Sequence, residues 1–120
     1  MRIDNLEDVE PFTTLDGAQI RELAGREIGT TLNQSLAEAT VPPGGTTVEH
    51  YHREAEELYF FTHGRGRMRL AGKEHDVGPG DVVVIAPGMR HKLWGGEDEP
   101  LRLLCCCAPA YSHEDTVLCE

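Results

Sequence analysis

The chain has 120 residues, of which 39% are hydrophobic, so it has room for one domain with a modest core and none for a second. Its 21 acidic residues outnumber 11 basic ones, for a formal charge of −10, which argues against a nucleic-acid or an anionic-membrane partner. No apolar run approaches the length of a membrane span, and the first residues do not resemble a secretory signal, so the expected compartment is the cytoplasm.

Short strands between Gly and Pro turns are predicted along most of the chain. The segment Leu15–Ala24 is the one candidate for a short helix, although Thr14-Leu15-Asp16-Gly17 reads equally well as a turn. Strands this short and frequent are typical of an antiparallel sandwich or barrel. The predicted strands are Ser35–Val41, Thr46–His52, Glu57–Thr62, Gly66–Leu70, Val82–Ile85, His91–Trp94 and Leu101–Ala108.

The segment His50-Tyr51-His52 and the later His91 are the strongest candidates for a functional site. Two histidines separated by one residue share a face of a β-strand, because side chains alternate there, whereas on a helix they would point roughly 200° apart. The pair therefore predicts a strand. Together with a carboxylate, three imidazoles can hold a divalent transition metal and leave open positions for a small molecule.

The carboxylate would come from the acidic run that leads into the next predicted strand, where Glu54, Glu56 and Glu57 are all near. Glu57 shares its strand face with Tyr59 and Phe61, whereas Glu56 lies on the opposite face. Alternation alone leaves both of these glutamates open as the ligand.

The spacing of these residues resembles the two signature motifs of the cupin superfamily. Two positions depart from the second motif: Ala86 stands where proline is usual, and Gly95 where asparagine is usual, both at turn or scaffold positions. The departures therefore put loop geometry in question and not the ligands. The matching residues are Gly44, His50, His52, Glu57 and Gly64 in the first motif, and Gly80, Gly88 and His91 in the second.

The resemblance implies an all-β fold, a double-stranded β-helix (jelly-roll) barrel of the RmlC-like type. It implies a single cupin domain over residues 1–120, with the barrel core at about 35–108 and an extension at each end. It also implies that the metal ligands are His50, His52, Glu57 and His91, which selects Glu57 over Glu56. The ion would be Mn, Fe, Ni, Co or Zn.

Cupins include dioxygenases, decarboxylases, isomerases, lyases, seed storage proteins and sugar-sensing domains, so the fold does not choose a reaction. We expect a metal-dependent enzyme acting on a small oxygenated organic molecule inside the barrel, with the metal as Lewis acid. The alternative is a noncatalytic small-molecule sensor or binding protein that uses the same pocket.

Tyr59, Phe61 and Leu93 are the predicted walls of a mainly apolar pocket, because they share strand faces with Glu57 and His91. Tyr59 is the candidate catalytic residue, as a proton donor or acceptor near the metal. The more ordinary expectation for Tyr59 is a barrel wall whose hydroxyl bonds to the backbone.

Two expectations concern the late strands. Alternation places Trp94, Leu104 and Cys106 on the outer surface, which predicts a homodimer that covers them.

Cys105, Cys106 and Cys107 are contiguous and cannot pair comfortably, so they are interpreted as small apolar strand residues in a reducing compartment. The alternative places Cys105 or Cys107 in the metal cavity as a redox or ligand thiol.

Overall fold

Eleven β-strands and a 3-10 helix, Leu6–Asp8, make up the regular structure of the computed structural model, which describes all residues from Met1 to Glu120. No helix is long and apolar enough to cross a bilayer. The strands are β1 (Phe12–Thr13), β2 (Gln19–Ala24), β3 (Ser35–Val41), β4 (His50–His52), β5 (Glu56–His63), β6 (Gly66–Leu70), β7 (Lys73–Val77), β8 (Val82–Ile85), β9 (His91–Gly95), β10 (Leu101–Ala108) and β11 (Thr116–Leu118).

The strands form two antiparallel sheets. One has the order β1-β2-β3-β10-β5-β8, and the other has the order β11-β4-β9-β6-β7. The buried core draws side chains from both sheets, with Phe61 and Leu103 from the first and Met68 and Leu93 from the second. This is the double-stranded β-helix that the sequence predicts, and its interior lies between the two sheets.

Strand β5 shows why the residues adopt this register. Glu57, Tyr59 and Phe61 are buried, whereas Leu58 and Phe60 between them are 41% and 43% exposed. Because side chains alternate along a strand, a slip by one residue would turn every inner side chain to the outside. The predicted phase of this strand is confirmed.

The candidate helix at Leu15–Ala24 is wrong, and the turn interpretation is correct. Gln19–Ala24 is strand β2, which pairs with β3. The turn before it contains Gly17 at φ +93°, and the Asp16 carboxylate accepts a hydrogen bond from the backbone N–H of Ala18 at 3.0 Å. A left-handed glycine and an Asx turn both oppose helix formation here.

Other strands differ from the predicted bounds. The strand expected at Thr46–His52 is shorter, since β4 contains only His50–His52 and Thr46 makes an isolated bridge to Trp94. Strand β7, Lys73–Val77, was not expected because most of its side chains are polar. Its pairing with β6 makes it a strand, and this pairing is not visible in its own sequence pattern.

Candidate metal centre

Three histidines converge inside the barrel from two neighbouring strands. His50 and His52 share the inner face of β4, and each is 4% exposed. His91, at the start of β9, is fully buried and pairs directly with His50 across the sheet. One ring nitrogen from each histidine lies within 4.8 Å of the corresponding nitrogens of the other two. The i, i+2 spacing therefore brings the rings together as predicted.

Hydrogen bonds on the outer side of two rings orient their inner nitrogens. His50 Nδ1 lies 2.8 Å from the Val48 carbonyl oxygen, and His91 Nδ1 lies 2.9 Å from that of Met89. A carbonyl only accepts, so each Nδ1 carries the donated proton. In the neutral rings, each Nε2 then presents a lone pair to the centre, as a metal-binding histidine does.

His52 is oriented through a threonine of the C-terminal strand β11. Its Nδ1 lies 3.1 Å from Thr116 Oγ1, and that hydroxyl donates to the Ser112 carbonyl at 3.0 Å. Because the hydroxyl proton is used there, Thr116 Oγ1 accepts from His52 Nδ1. The third ring nitrogen, His52 Nε2, is thereby turned inward as well.

Glu57 supplies the carboxylate from β5, on the side of His52 and His91. Its Oε1 lies 3.1 Å from His52 Nε2 and 3.3 Å from His91 Nε2. Two ligand atoms about 2.1 Å from one ion and at right angles to each other lie about 3.0 Å apart. These separations therefore fit neighbouring ligands of one ion.

His91 Nε2 is buried and has no hydrogen-bond partner. The distance from His91 Nε2 to Glu57 Oε1 is 3.3 Å, but the two groups do not have the geometry of a hydrogen bond. An unpaired buried nitrogen costs free energy unless another group satisfies it. The donor set therefore fits a divalent transition metal, which would accept this lone pair.

The charges at the centre are set by burial and by neighbouring groups. Burial alone would raise the pKa of Glu57, but the hydrogen bond from His52 and the contact with His91 outweigh it and lower the pKa to about 2. Burial and the nearby His91 lower the pKa of His50. The pKa of His52 is raised because Glu57 outweighs the effect of burial. An ionised Glu57 thus contacts His52 and His91, while His50 stays neutral. His52 is the histidine at which a proton competes with a cation.

A family model described as a cupin domain matches residues 37–107 of the chain. The chain belongs to the cupin family. It is 44% identical over 112 residues to the uncharacterized protein MJ1618 of Methanocaldococcus jannaschii, covering 93% of the chain and 90% of that protein. It is 34% identical over 83 residues to L-ectoine synthase of Bordetella petrii, covering 68% of the chain and 61% of the synthase.

Solved structures show the same fold. The polyketide cyclase RemF from Streptomyces resistomycificus superposes on this cupin with a TM-score of 0.79, over 96% of this chain and 89% of the cyclase, at 26% sequence identity. The expectation of an all-β cupin barrel is therefore confirmed.

One of the two departures from the cupin motifs has a steric explanation. A side chain at Gly95 would place its Cβ 2.7 Å from the Pro42 carbonyl oxygen. Since this is too close for any Cβ, the usual asparagine does not fit against this loop. Ala86 lies in a turn, where its carbonyl accepts from the Met89 N–H at 3.1 Å. Both departures affect loops and leave the histidines in place.

A cavity of about 60 Å³ lies beside the histidines of this cupin, and most of its lining is apolar. Tyr59 and Leu93 line it, as the sequence analysis expects. Phe61 does not, although it was expected as a wall. It is fully buried in the core with Leu101 and Leu103, one pleat further along β5 than Tyr59.

Tyr59 is 4% exposed, and its hydroxyl makes no hydrogen bond to the backbone, contrary to the more ordinary expectation for it. Burial, followed by the charge of Glu57, raises the pKa of its phenol well above the usual range. The hydroxyl therefore remains protonated at neutral pH and can act as a hydrogen-bond donor to a bound molecule.

Two cysteines of β10 also face the cavity, and one contacts the metal centre. Cys105 and Cys107 line the cavity, and the Cys107 thiol donates to Glu57 Oε2 at 3.2 Å. Burial and the charge of Glu57 raise the pKa of both thiols, so they stay protonated. The prediction that these cysteines are only small apolar residues of the strand is therefore incomplete. Both side chains line the cavity, which was the alternative for Cys105 and Cys107.

Sequence reasoning missed two carboxylates of the cavity, Asp16 and Glu22. Asp16 lies in the turn before β2, and its Oδ2 is 3.6 Å from His50 Nε2. It precedes the expected barrel core at 35–108, and no motif spacing relates it to the histidines. Its position depends on how the N-terminal segment folds over the barrel.

Proposed function

We propose that this cupin is a divalent-metal-dependent enzyme that acts on a small oxygenated organic molecule inside the barrel. One observation carries the proposal: three inward-facing imidazoles, with an ionised carboxylate beside two of them, surround a buried centre where His91 Nε2 has no partner. The residues that would hold the ion are His50, His52, Glu57 and His91. When bound, Mn, Fe, Co, Ni or Zn would act as a Lewis acid toward an oxygen of the ligand.

The cavity walls support a ligand that is mainly aliphatic or aromatic. Leu93 and the ring of Tyr59 exclude water from one side of the centre and would contact carbon atoms of the ligand. The protonated Tyr59 hydroxyl would donate a hydrogen bond to a ligand oxygen near the centre. Such a donor stabilises negative charge that develops on that oxygen during reaction.

The names of two similar proteins support a particular reaction class. One is a polyketide cyclase and the other is an L-ectoine synthase. We propose ring closure within an oxygenated ligand, in which a nucleophilic atom of the ligand bonds to its carbonyl carbon. The C=O π bond breaks, and the carbonyl oxygen takes up the proton that the nucleophile loses. The apolar walls would then hold the two reacting parts of the ligand together.

We also propose that the protein forms a homodimer, through a surface other than the one expected. Trp94 is half-buried and is flanked by Arg69 and Lys92, whose charged groups lie 5.4 and 5.5 Å from the indole ring. Its own chain therefore already covers much of Trp94. Leu104 and Cys106 are also half-buried.

The more exposed apolar patch lies on the outer face of β5 and of the edge strand β8. Its four side chains are between 41% and 61% exposed and face one another in pairs across the two strands. An apolar patch beside an unpaired strand edge suits a second copy of the same chain. The patch consists of Leu58, Phe60, Val82 and Val84.

Elemental analysis tests the metal site. The purified protein, reloaded with each candidate ion in turn, should hold about one ion per chain. The variants His52→Ala and His91→Ala should lose it, whereas His75→Ala, an exposed histidine of β7, should not. A wild-type protein that remains metal-free after reloading would overturn the proposal.

A thermal-shift screen of oxygenated ligands on the metal-loaded protein then tests the reaction. An open-chain ligand that raises the melting temperature and is converted to a cyclic product supports the enzyme. A ligand that stabilises the protein but is recovered unchanged supports the alternative of a sensor or binding protein. The Tyr59→Phe variant should lower turnover and leave metal content unchanged.

A further inference from the structure

A second carboxylate approaches the candidate metal centre beside His50, which Glu57 does not contact. Asp16 Oδ2 lies 3.6 Å from His50 Nε2, and the Asp16 side chain is only 14% exposed. Glu57 instead lies beside His52 and His91. Each of the three imidazoles therefore has a carboxylate oxygen near its Nε2.

The turn that contains Asp16 is held firmly against the barrel. Asp16 Oδ1 accepts from the Ala18 N–H at 3.0 Å, and the Asp16 carbonyl accepts from the Val48 N–H at 2.6 Å. Val48 is two residues before His50, so this bond attaches the turn to the entry of β4. With Oδ1 and the backbone used in these bonds, Oδ2 is the oxygen that faces the cavity.

The contact between Asp16 and His50 is unfavourable unless a cation or a proton lies between them. The Nδ1 proton of His50 is donated to Val48, so Nε2 of the neutral ring carries a lone pair, and the carboxylate oxygen carries only lone pairs. Two such atoms in a poorly solvated cavity repel each other. Neighbouring ligand atoms about 2.1 Å from one octahedral ion lie about 3.0 Å apart, so at 3.6 Å the two atoms are about 0.6 Å further apart than neighbouring ligands of a shared ion.

We infer that Asp16 is a further ligand of the metal, and this inference rests on the proposed function. Two carboxylates would balance the charge of a divalent ion in a buried site, whereas Glu57 alone would leave one positive charge uncompensated. An octahedral ion with five protein ligands has one open position, and with four it has two. Asp16 therefore sets how many ligand oxygens can bind at one time.

Cobalt binding to the metal-free protein tests the inference. Asp16→Asn and Asp16→Ser remove the carboxylate but keep an oxygen that can accept from Ala18, so the turn is retained. Each should weaken Co²⁺ binding by about tenfold or more, measured by competition with a chromophoric chelator. Each should also shift the visible Co²⁺ absorption, because a carboxylate leaves the ion. Melting of the metal-free variants checks that they fold.

Asp81→Asn is the matched control. Asp81 also accepts a hydrogen bond from a turn N–H, that of Gly78 at 2.8 Å, but it is exposed and does not line the cavity. Its Co²⁺ affinity and spectrum should equal those of wild type. If wild type fails to bind Co²⁺, the proposed function and this inference fall together. If wild type binds, His91→Ala does not, and Asp16→Asn matches wild type in affinity and spectrum, only the Asp16 assignment is overturned.

Discussion

The two faces of β5 have different surroundings although they alternate along the same eight residues. The inner face carries Glu57, Tyr59 and Phe61, which are all buried, and the outer face carries Leu58 and Phe60, which are both more than 40% exposed. Apolar side chains occur on both faces, so hydrophobicity alone does not separate them. The inner face is distinguished by a buried carboxylate, Glu57, whereas the carboxylate of the outer face, Glu56, is exposed. A buried charge needs a compensating group, which the neighbouring histidines and the proposed ion would supply.

Truncation of an aromatic side chain tests the packing of the inner face. Phe61→Ala should lower the free energy of unfolding by about 3–5 kcal/mol, because it opens a cavity in a fully buried position. Thr62→Ala, on the exposed outer face, should change it by less than about 0.5 kcal/mol. Urea unfolding measures both. Equal losses would mean that the two faces are not packed differently.

Removal of the carboxylate tests why the inner face can carry a charge. Glu57→Gln keeps the shape of the side chain but removes its negative charge, so metal affinity should fall by about a hundredfold or more. Glu56→Gln, on the outer face of the same strand, should leave it unchanged. Metal titration of the two variants compares them directly, and a larger loss for Glu56→Gln would reverse the ligand assignment.

A charge on the outer face tests the proposed dimer. Phe60→Glu should weaken self-association by about tenfold or more, because it places a carboxylate in an apolar contact. Its metal content should equal that of wild type, since the residue faces away from the centre. Light scattering at tens of micromolar measures the mass, and a monomeric wild-type protein at that concentration would contradict the dimer.

The thiol beside Glu57 offers a finer test on the neighbouring strand. Cys107→Ala removes the donor to Glu57 Oε2 and should weaken metal binding by about tenfold, because the carboxylate is held less firmly. Cys107→Ser restores a donor and should recover most of that loss. Cys106→Ala, whose side chain alternates to the other face of β10, is the control. Unchanged affinity in Cys107→Ala would show that Glu57 needs no such support.

Metal occupancy should also fall as the pH drops below about 6, because a proton on Nε2 excludes the ion. Because the pKa of His52 is raised, this histidine retains a proton to higher pH than a free imidazole. Protons therefore compete with the metal most strongly at His52. Dialysis at a series of pH values followed by elemental analysis measures this release. Occupancy that is constant down to pH 4 would argue against histidine ligands.

The sequence by itself determined the phase of the strands that carry the histidines and Glu57. One-residue spacing in His50-x-His52 and alternation along β5 are local properties, because every strand residue points to the side opposite its neighbour. The motif spacing then selected Glu57 over Glu56. For the same reason, alternation along β10 separated Leu104 and Cys106 from the inner positions of that strand.

Only the tertiary structure decided which distant groups complete the site. Asp16 and Thr116 meet the histidines because the N-terminal turn bonds to Val48 and β11 pairs with β4. Cys107 meets Glu57 because β10 pairs with β5. The exclusion of Phe61 from the cavity likewise depends on how the two sheets close over its end of β5. Such contacts depend on sheet order and loop path, and no periodicity within a single segment encodes them.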